Sequence, residues 1–313
     1  MPLRLDAAAL ARQHRHNRLR SVLVLAGIGV WMALVGWLVA GGAGVLWSAV
    51  GTVLVLLIQP VRSTTLLRAL YGAVPLGPSQ APGLYALMSE LARRAGLQRV
   101  PPLLYIPRAE MIALSTGWGR DGTVALSHGM LHNLPGRELA GVIAHEVSHL
   151  RAGDLKLLRV AEAAGRLTRS VALAGVLLAA FYLPELQALG GVPWLPMLLL
   201  LAAPLVSDLL ALTLSRTREF DADARAAELT GDPDGLIGAL GRIALTQGEN
   251  WESLRRGRGW RWLRLIRTHP GTDERIARLR ELVPAAPPRW LVLPDVMMPL
   301  GMALSPGQRR RWL

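Results

Sequence analysis

Five consecutive residues, His145-Glu146-Val147-Ser148-His149, place two imidazoles and a carboxylate where they could act together. The stretch from Glu138 to about Gly153 reads as a helix, and residues four apart on a helix share a face, roughly 5–6 Å apart at Cβ. Both imidazoles could then bind one Zn2+ ion. Glu146 sits between them, where it could take a proton from a water that the ion activates. The plainer alternative is two partly buried histidines on an ordinary amphipathic helix.

A catalytic zinc takes three ligands from the protein and keeps one position open. The segment Ser215-Arg216-Thr217-Arg218-Glu219-Phe220-Asp221-Ala222-Asp223 offers a third. Glu219 and Asp223, four apart, share a helix face. Glu219 could bind the ion while Asp223 accepts the other N–H of a ligating imidazole and fixes its tautomer. Here the alternative is a solvated charged face, with Arg216, Arg218 and Arg225 pairing with the acids.

The run from His145 to Asp154 (HEVSHLRAGD), the pattern Ser215-Arg216-x-x-Glu219-x-x-Ala222-Asp223, and Thr268-His269-Pro270 followed by Glu274-Arg275-Ile276 together resemble the HtpX-type membrane metallopeptidases. These are gluzincins, in the same broad family as the type I CAAX prenyl protease. The resemblance runs from the first hydrophobic pair to about Leu282. It implies His145, His149 and Glu219 as zinc ligands, one ion per chain, and Glu146 as general base. Asp154 closes the first motif and Arg216 is the second residue of the next, and both are expected to line the site. At one place the chain departs from the family: Ile112 stands where an Asn usually precedes the Ala-x-x-Thr-Gly stretch, here Ala113 to Gly117.

The elements that must carry these residues are largely apolar. The 313-residue chain is 51% hydrophobic, with a mean hydropathy of +0.32. Ser21 to Ala40 and Gly41 to Pro60 contain no charge. Each run of about 20 residues spans roughly 30 Å as a helix, the thickness of a bilayer core. With Gly41-Gly42-Ala43-Gly44 as a turn they read as a transmembrane hairpin. A signal peptide cleaved near Val39-Ala40-Gly41 competes with this reading, but a second span follows at once. Val171 to Leu183 and Val192 to Leu214 form a second hydrophobic pair, either transmembrane or re-entrant. Either form brings the chain back so that Glu219 can meet the two histidines.

Arginine sets the expected orientation. Arg4, Arg12, Arg15, Arg18 and Arg20 precede the first span, Arg62 and Arg68 follow the second, and Arg151 to Arg169 precede the third. The short connections on the other side carry no Lys or Arg, so both termini and the metal site are expected in the cytoplasm. The net charge of +13 is then explained by attraction to anionic lipid, and nucleic acid is not expected as a partner. Zero cysteines exclude disulfides and thiolate metal ligands.

Leu103 to Ile106, Ile112 to Thr116 and Thr123 to Ser127 read as three short strands, and Pro82 to Gly96 as an amphipathic helix. A small sheet beside the metal helix is the arrangement the resemblance implies. Its edge could hold an extended peptide. His128 and His132 are also four apart but have no third partner nearby, and a structural role is expected. Asp208, Ser215, Glu219 and Asp223 fall near one helical stripe. Asp208 could therefore line the floor of a site opening toward the membrane, or simply mark the headgroup boundary. His269 could donate to a tetrahedral oxyanion, occupy the open metal position at rest, or cap the helix beginning at Thr272. Arg255 to Arg264, rich in Arg and Trp, suits a membrane surface.

The sequence thus reads as a mainly α membrane protein with a small α+β gluzincin catalytic domain. Its expected parts are a basic cytoplasmic segment (1–20), a transmembrane hairpin (21–62), the first part of the peptidase (63–166), a second hairpin (167–214), the second part of the peptidase (215–284) and a tail (285–313). By resemblance, it is a zinc endopeptidase of a bacterial plasma membrane that cleaves misfolded membrane proteins in quality control. A prenyl-protein peptidase would use the same chemistry but carries more spans. A non-catalytic zinc scaffold or chaperone would have no need of Glu146.

Overall fold

The computed structural model describes residues 5–57, 63–117, 121–188, 191, 194–255 and 271–283. The expectations for His269, for Arg256 to Arg264 and for the tail from Pro287 concern residues outside these.

The first hydrophobic segment is a helical hairpin, α1 (Ala7–Leu57). Its backbone leaves helical values at Ala40 (φ −143°, ψ 25°) and Gly41 (φ 56°, ψ −140°). The arms run antiparallel, with Thr52 Oγ1 3.8 Å from Met32 Sδ. They cross at Gly36 and Gly44, where a Cβ on either would overlap the other's backbone. The reversal therefore comes slightly earlier than the expected four-residue turn, and Gly44 serves close helix approach instead. The residues expected as a basic segment, 1–20, are already helical from Ala7.

A second antiparallel pair follows: α6 (Asp154–Phe181), the short α7 (Leu183–Ala188) and α8 (Trp194–Thr230). Among the described helices, α1, α6 and α8 are long and apolar enough to cross a membrane. Because α1 doubles back, they supply four apolar arms. Lipid gives helices little hydrophobic reason to associate, so small residues that allow close packing matter. Ala161, Ala164, Ala172 and Ala203 fill that role, packed with Ile28, Met32, Val35, Leu200 and Leu214. The last span continues without a break into the segment that carries Glu219 and Asp223. Its apolar part ends near Leu214, and Ser215 to Thr230 lies beyond it.

The part outside the apolar arms is built on four strands, β1 (Val74–Leu76), β2 (Leu103–Ile106), β3 (Ala113–Thr116) and β4 (Thr123–Ser127), in the order β1-β2-β4-β3. β2 and β4 pair in parallel and are fully buried, while β1 and β3 pair antiparallel at the two edges. β3 is only half-buried and lies beside α5 (Gly136–Ala152). The remaining helices are α2 (Ser63–Tyr71), α3 (Pro82–Arg94), α4 (His128–Asn133), α9 (Pro233–Arg255) and α10 (Thr272–Arg280). One core joins the sheet to α3, α5, α8 and α9 through Leu84, Met88, Leu126, Ile143, Ala226 and Leu236.

Candidate metal centre

α5 is buried without interruption from Leu139 to Ser148, so its polar residues there need internal partners. It ends at Gly153, whose φ of 67° and ψ of 30° lie in the left-handed region that favours glycine. The Gly153 N–H donates to the His149 carbonyl at 3.1 Å. This turn starts α6 at Asp154 and brings its carboxylate back to His149.

α5 and α8 bring His145, His149 and Glu219 together. His145 Nε2 and His149 Nε2 are 3.1 Å apart. Glu219 places Oε2 3.5 Å from the first and Oε1 3.6 Å from the second. A tetrahedral ion with bonds of 2.0–2.1 Å needs donors about 3.3 Å apart; the two nitrogens are close to that spacing, and with one Glu219 oxygen the three donor atoms lie within 4.8 Å of one another. Among the described residues, this is the one group of three or more such side chains whose donor atoms converge in this way. Glu146, also buried, follows His145 on the same helix.

The far sides of both rings are held by carboxylates. His145 Nδ1 lies 2.9 Å from Asp223 Oδ1, and His149 Nδ1 lies 2.8 Å from Asp154 Oδ2. A proton on each Nδ1 leaves both Nε2 lone pairs facing Glu219, the tautomer a metal ligand needs. Arg275 on α10 grips Asp223 with two nitrogens at 2.7 and 2.6 Å, and its Nη1 lies 3.5 Å from Glu219. Burial alone would make that guanidinium easier to deprotonate, but Asp223 and then Glu219 raise its pKa further above the usual range. Burial likewise works against charge on His145. Its bonds to Asp223 and Glu219 outweigh that and raise its pKa to about 10 in the metal-free protein. A metal ion must therefore displace a proton there.

A second arginine organises the other side. Arg218 bonds Asp154 Oδ1 and also Asp221, whose Oδ2 is 3.0 Å from Nη2. The other oxygen of Asp221 is 3.0 Å from His14 Nδ1 on the first arm of α1. A continuous chain of charged and polar contacts thus runs from the N-terminal helix to His149.

The other residues singled out in the sequence fall as follows. Arg216 is half-buried on α8, three residues before Glu219. Asp208 stands eleven residues before Glu219 on the same helix and pairs with Arg169 of α6 at 2.7 Å. His128 bonds the Tyr105 hydroxyl at 2.9 Å and stacks on His132 at 5.4 Å. Arg275 and His14 were not anticipated as site partners, and Arg218 was anticipated only as one of the arginines pairing with the acids of its own segment. Arg275 lies inside the quoted Glu274-Arg275-Ile276 motif, which was the available signal. His14 had none.

Residues 78–283 match the model of Peptidase family M48. The chain is 31% identical over 278 residues to a protease HtpX homolog of Desulfatibacillum aliphaticivorans, covering 84% of this chain and 89% of that protein. It is 29% identical over 280 residues to protease HtpX of Legionella pneumophila, covering 85% and 99%. Among solved structures, that of S. mikatae Ste24p is similar with a TM-score of 0.46 and 16% identity, over 86% of this chain and 66% of that one. The chain belongs to peptidase family M48, as an HtpX-type membrane metalloprotease.

Proposed function

We propose that the protein is a zinc endopeptidase that cleaves misfolded membrane proteins at the cytoplasmic face of a bacterial plasma membrane. The observation that carries this reading is the convergence of His145 Nε2, His149 Nε2 and a Glu219 carboxylate, with Glu146 adjacent. All-N/O donors on hard and borderline ligands suit Zn2+. The chemistry that Zn2+ supplies in such a site is a lowered pKa for a coordinated water and polarisation of a nearby carbonyl.

The protein's own residues do the rest. Asp223 and Asp154 hold the two ligating rings in the required tautomer and orientation. Glu146 accepts the proton of the attacking water and then donates it to the leaving amine. β3 offers an edge next to α5 on which an extended peptide can lie, its backbone paired with Ala113 to Thr116. The Arg residues at the cytoplasmic ends of the helices favour this orientation and anionic lipid around them.

The test is cleavage of an unfolded model protein by the detergent-purified, zinc-loaded full chain beside its Glu146→Gln variant, with bound zinc assayed in both. Cleavage by the wild type alone, with equal zinc in both, is the expected result. Equal cleavage by both would remove Glu146 from the mechanism. Zinc-replete wild type that cleaves nothing would favour a scaffold.

A further inference from the structure

The register of the edge strand β3 shows which of its backbone groups face outward. Ser127 of β4 donates its N–H to the Ile112 carbonyl at 2.9 Å, whereas Val124 donates away from β3, to the Pro102 carbonyl at 3.1 Å. With Ile112 turned toward β4, alternation along an antiparallel pair turns Leu114 and Thr116 the same way. The N–H and C=O groups of Ala113 and Ser115 therefore point to the outer side, where no further strand pairs among the described residues. An extended peptide laid on this edge bonds to those two residues.

Side chains along the strand alternate between the two faces of the sheet. Met111 and Ala113 pack with the core that includes Ile143, Ala144 and Val147 of α5, the helix bearing His145 and Glu146. Ile112 and Leu114 pack on the other face, in the cluster built on Leu67 of α2 and Ala125 of β4, against which Tyr71 also packs. Ile112 and Leu114 are only half-buried there, in contrast with the fully buried β4 beside them. They keep apolar surface at the rim of the α2 face, where an added strand would cover it. Position 112 is also where the chain departs from its family's pattern, with Ile in place of Asn.

We propose that Ile112 and Leu114 form a specificity subsite for a large apolar side chain of the substrate, on the sheet face turned away from the ligand helix. Substrate residues opposite Ala113 and Ser115 turn toward α5. The residue opposite Leu114, between them, turns toward α2. In a strand added antiparallel, the Cβ of that residue lies about 4.5–5.5 Å from the Cβ of Leu114, within contact of a Leu, Ile or Phe side chain. A polar side chain there would cover the same apolar rim without a hydrogen-bonding partner from Ile112 or Leu114. This inference rests on the reading of β3 as the edge that holds the substrate, and adds the kind of side chain the edge selects.

The test uses the zinc-loaded full chain in detergent with a peptide library, the cleaved bonds being read by mass spectrometry. At one position near the cleaved bond, or at two positions spaced by two, the wild type is expected to favour Leu, Ile or Phe over Asn or Ser. The preference is about two- to fivefold, the range of one cross-strand apolar pair. Ile112→Thr with Leu114→Thr, which keeps residues that suit a strand, brings it to one. Leu114→Lys turns it toward Asp and Glu at the same position and leaves the neighbouring positions as they were. Bound zinc and the unfolding midpoint show that each variant is folded. In a Glu146→Gln background, fluorescence anisotropy compares a peptide carrying Leu at alternate positions with its counterpart carrying Asn there. The Leu peptide is expected to bind about two- to fivefold tighter, and the paired threonines should level the two. No apolar preference in the wild type, or one that survives the paired threonines in folded protein, would overturn the proposal. A wild type that cleaves none of the peptides contradicts the peptidase reading, and the binding comparison still decides the subsite.

Discussion

Asp154 holds His149 with one carboxylate oxygen and Arg218 with the other. It lies on α6, one residue past the glycine that ends the ligand helix. A single side chain thus sets the tautomer of a candidate metal ligand and ties it to α8, where Glu219 resides. Asp223, gripped by Arg275, does the same for His145 from α8 itself.

Replacing Asp154 with Asn removes the charge behind His149 while keeping nearly the same shape. Metal affinity is expected to fall about 10–100-fold, measured by competition with a fluorescent chelator. Unchanged affinity would mean that His149 needs no such partner.

Gly153→Ala isolates the cost of the left-handed turn. No atom lies within 4 Å of where the new Cβ would stand, so the penalty is conformational. It is about 1–2 kcal/mol. Thermal unfolding in detergent should show this modest loss, and a change near zero would indicate that the turn relaxes freely.

Arg218 is buried between two carboxylates. Arg218→Leu leaves Asp154 and Asp221 without their shared cation, and stability is expected to fall by about 3–5 kcal/mol. His14→Ala touches only the half-exposed end of the same chain and should cost much less. Comparison of the two unfolding midpoints checks this order.

Protonation of His145 sets a pH dependence. Its pKa in the metal-free fold is raised from 6.5 to about 10. The stabilisation from its charged contacts is therefore fully present below about pH 6.5 and fades as pH rises through 10. Metal uptake at neutral pH should release a proton, and affinity should strengthen as pH rises. Calorimetry in buffers of different ionisation enthalpy reads the proton count, and His145→Gln should lower it.

The spacing of His145 and His149 made the ligand helix legible, and the charge-free runs made the membrane arms legible. Three of the four strands were equally plain from their apolar, β-branched stretches. β1 was not, because Val74-Pro75-Leu76 is three residues with a proline at its centre, too short for alternation to register. The partners of the site were hidden for a different reason. Asp154 and Arg218 are 64 residues apart, and His14 meets Asp221 across 207. Only the packing of α1, α6 and α8 brings such pairs together, and side-chain type alone does not report it. Gly44 was read as a turn residue because four small residues in a row suggest one, whereas its lack of a side chain serves the crossing with Gly36.

The most direct test of the metal centre is X-ray absorption at the metal edge of the purified protein, wild type beside Glu219→Gln. Two imidazole nitrogens and a carboxylate oxygen at about 2.0–2.1 Å are expected around Zn2+ in the wild type. The variant should lose the ion or the carboxylate contribution. A shell unchanged by Glu219→Gln, or one without two imidazoles, would contradict the assignment of His145, His149 and Glu219 as its ligands.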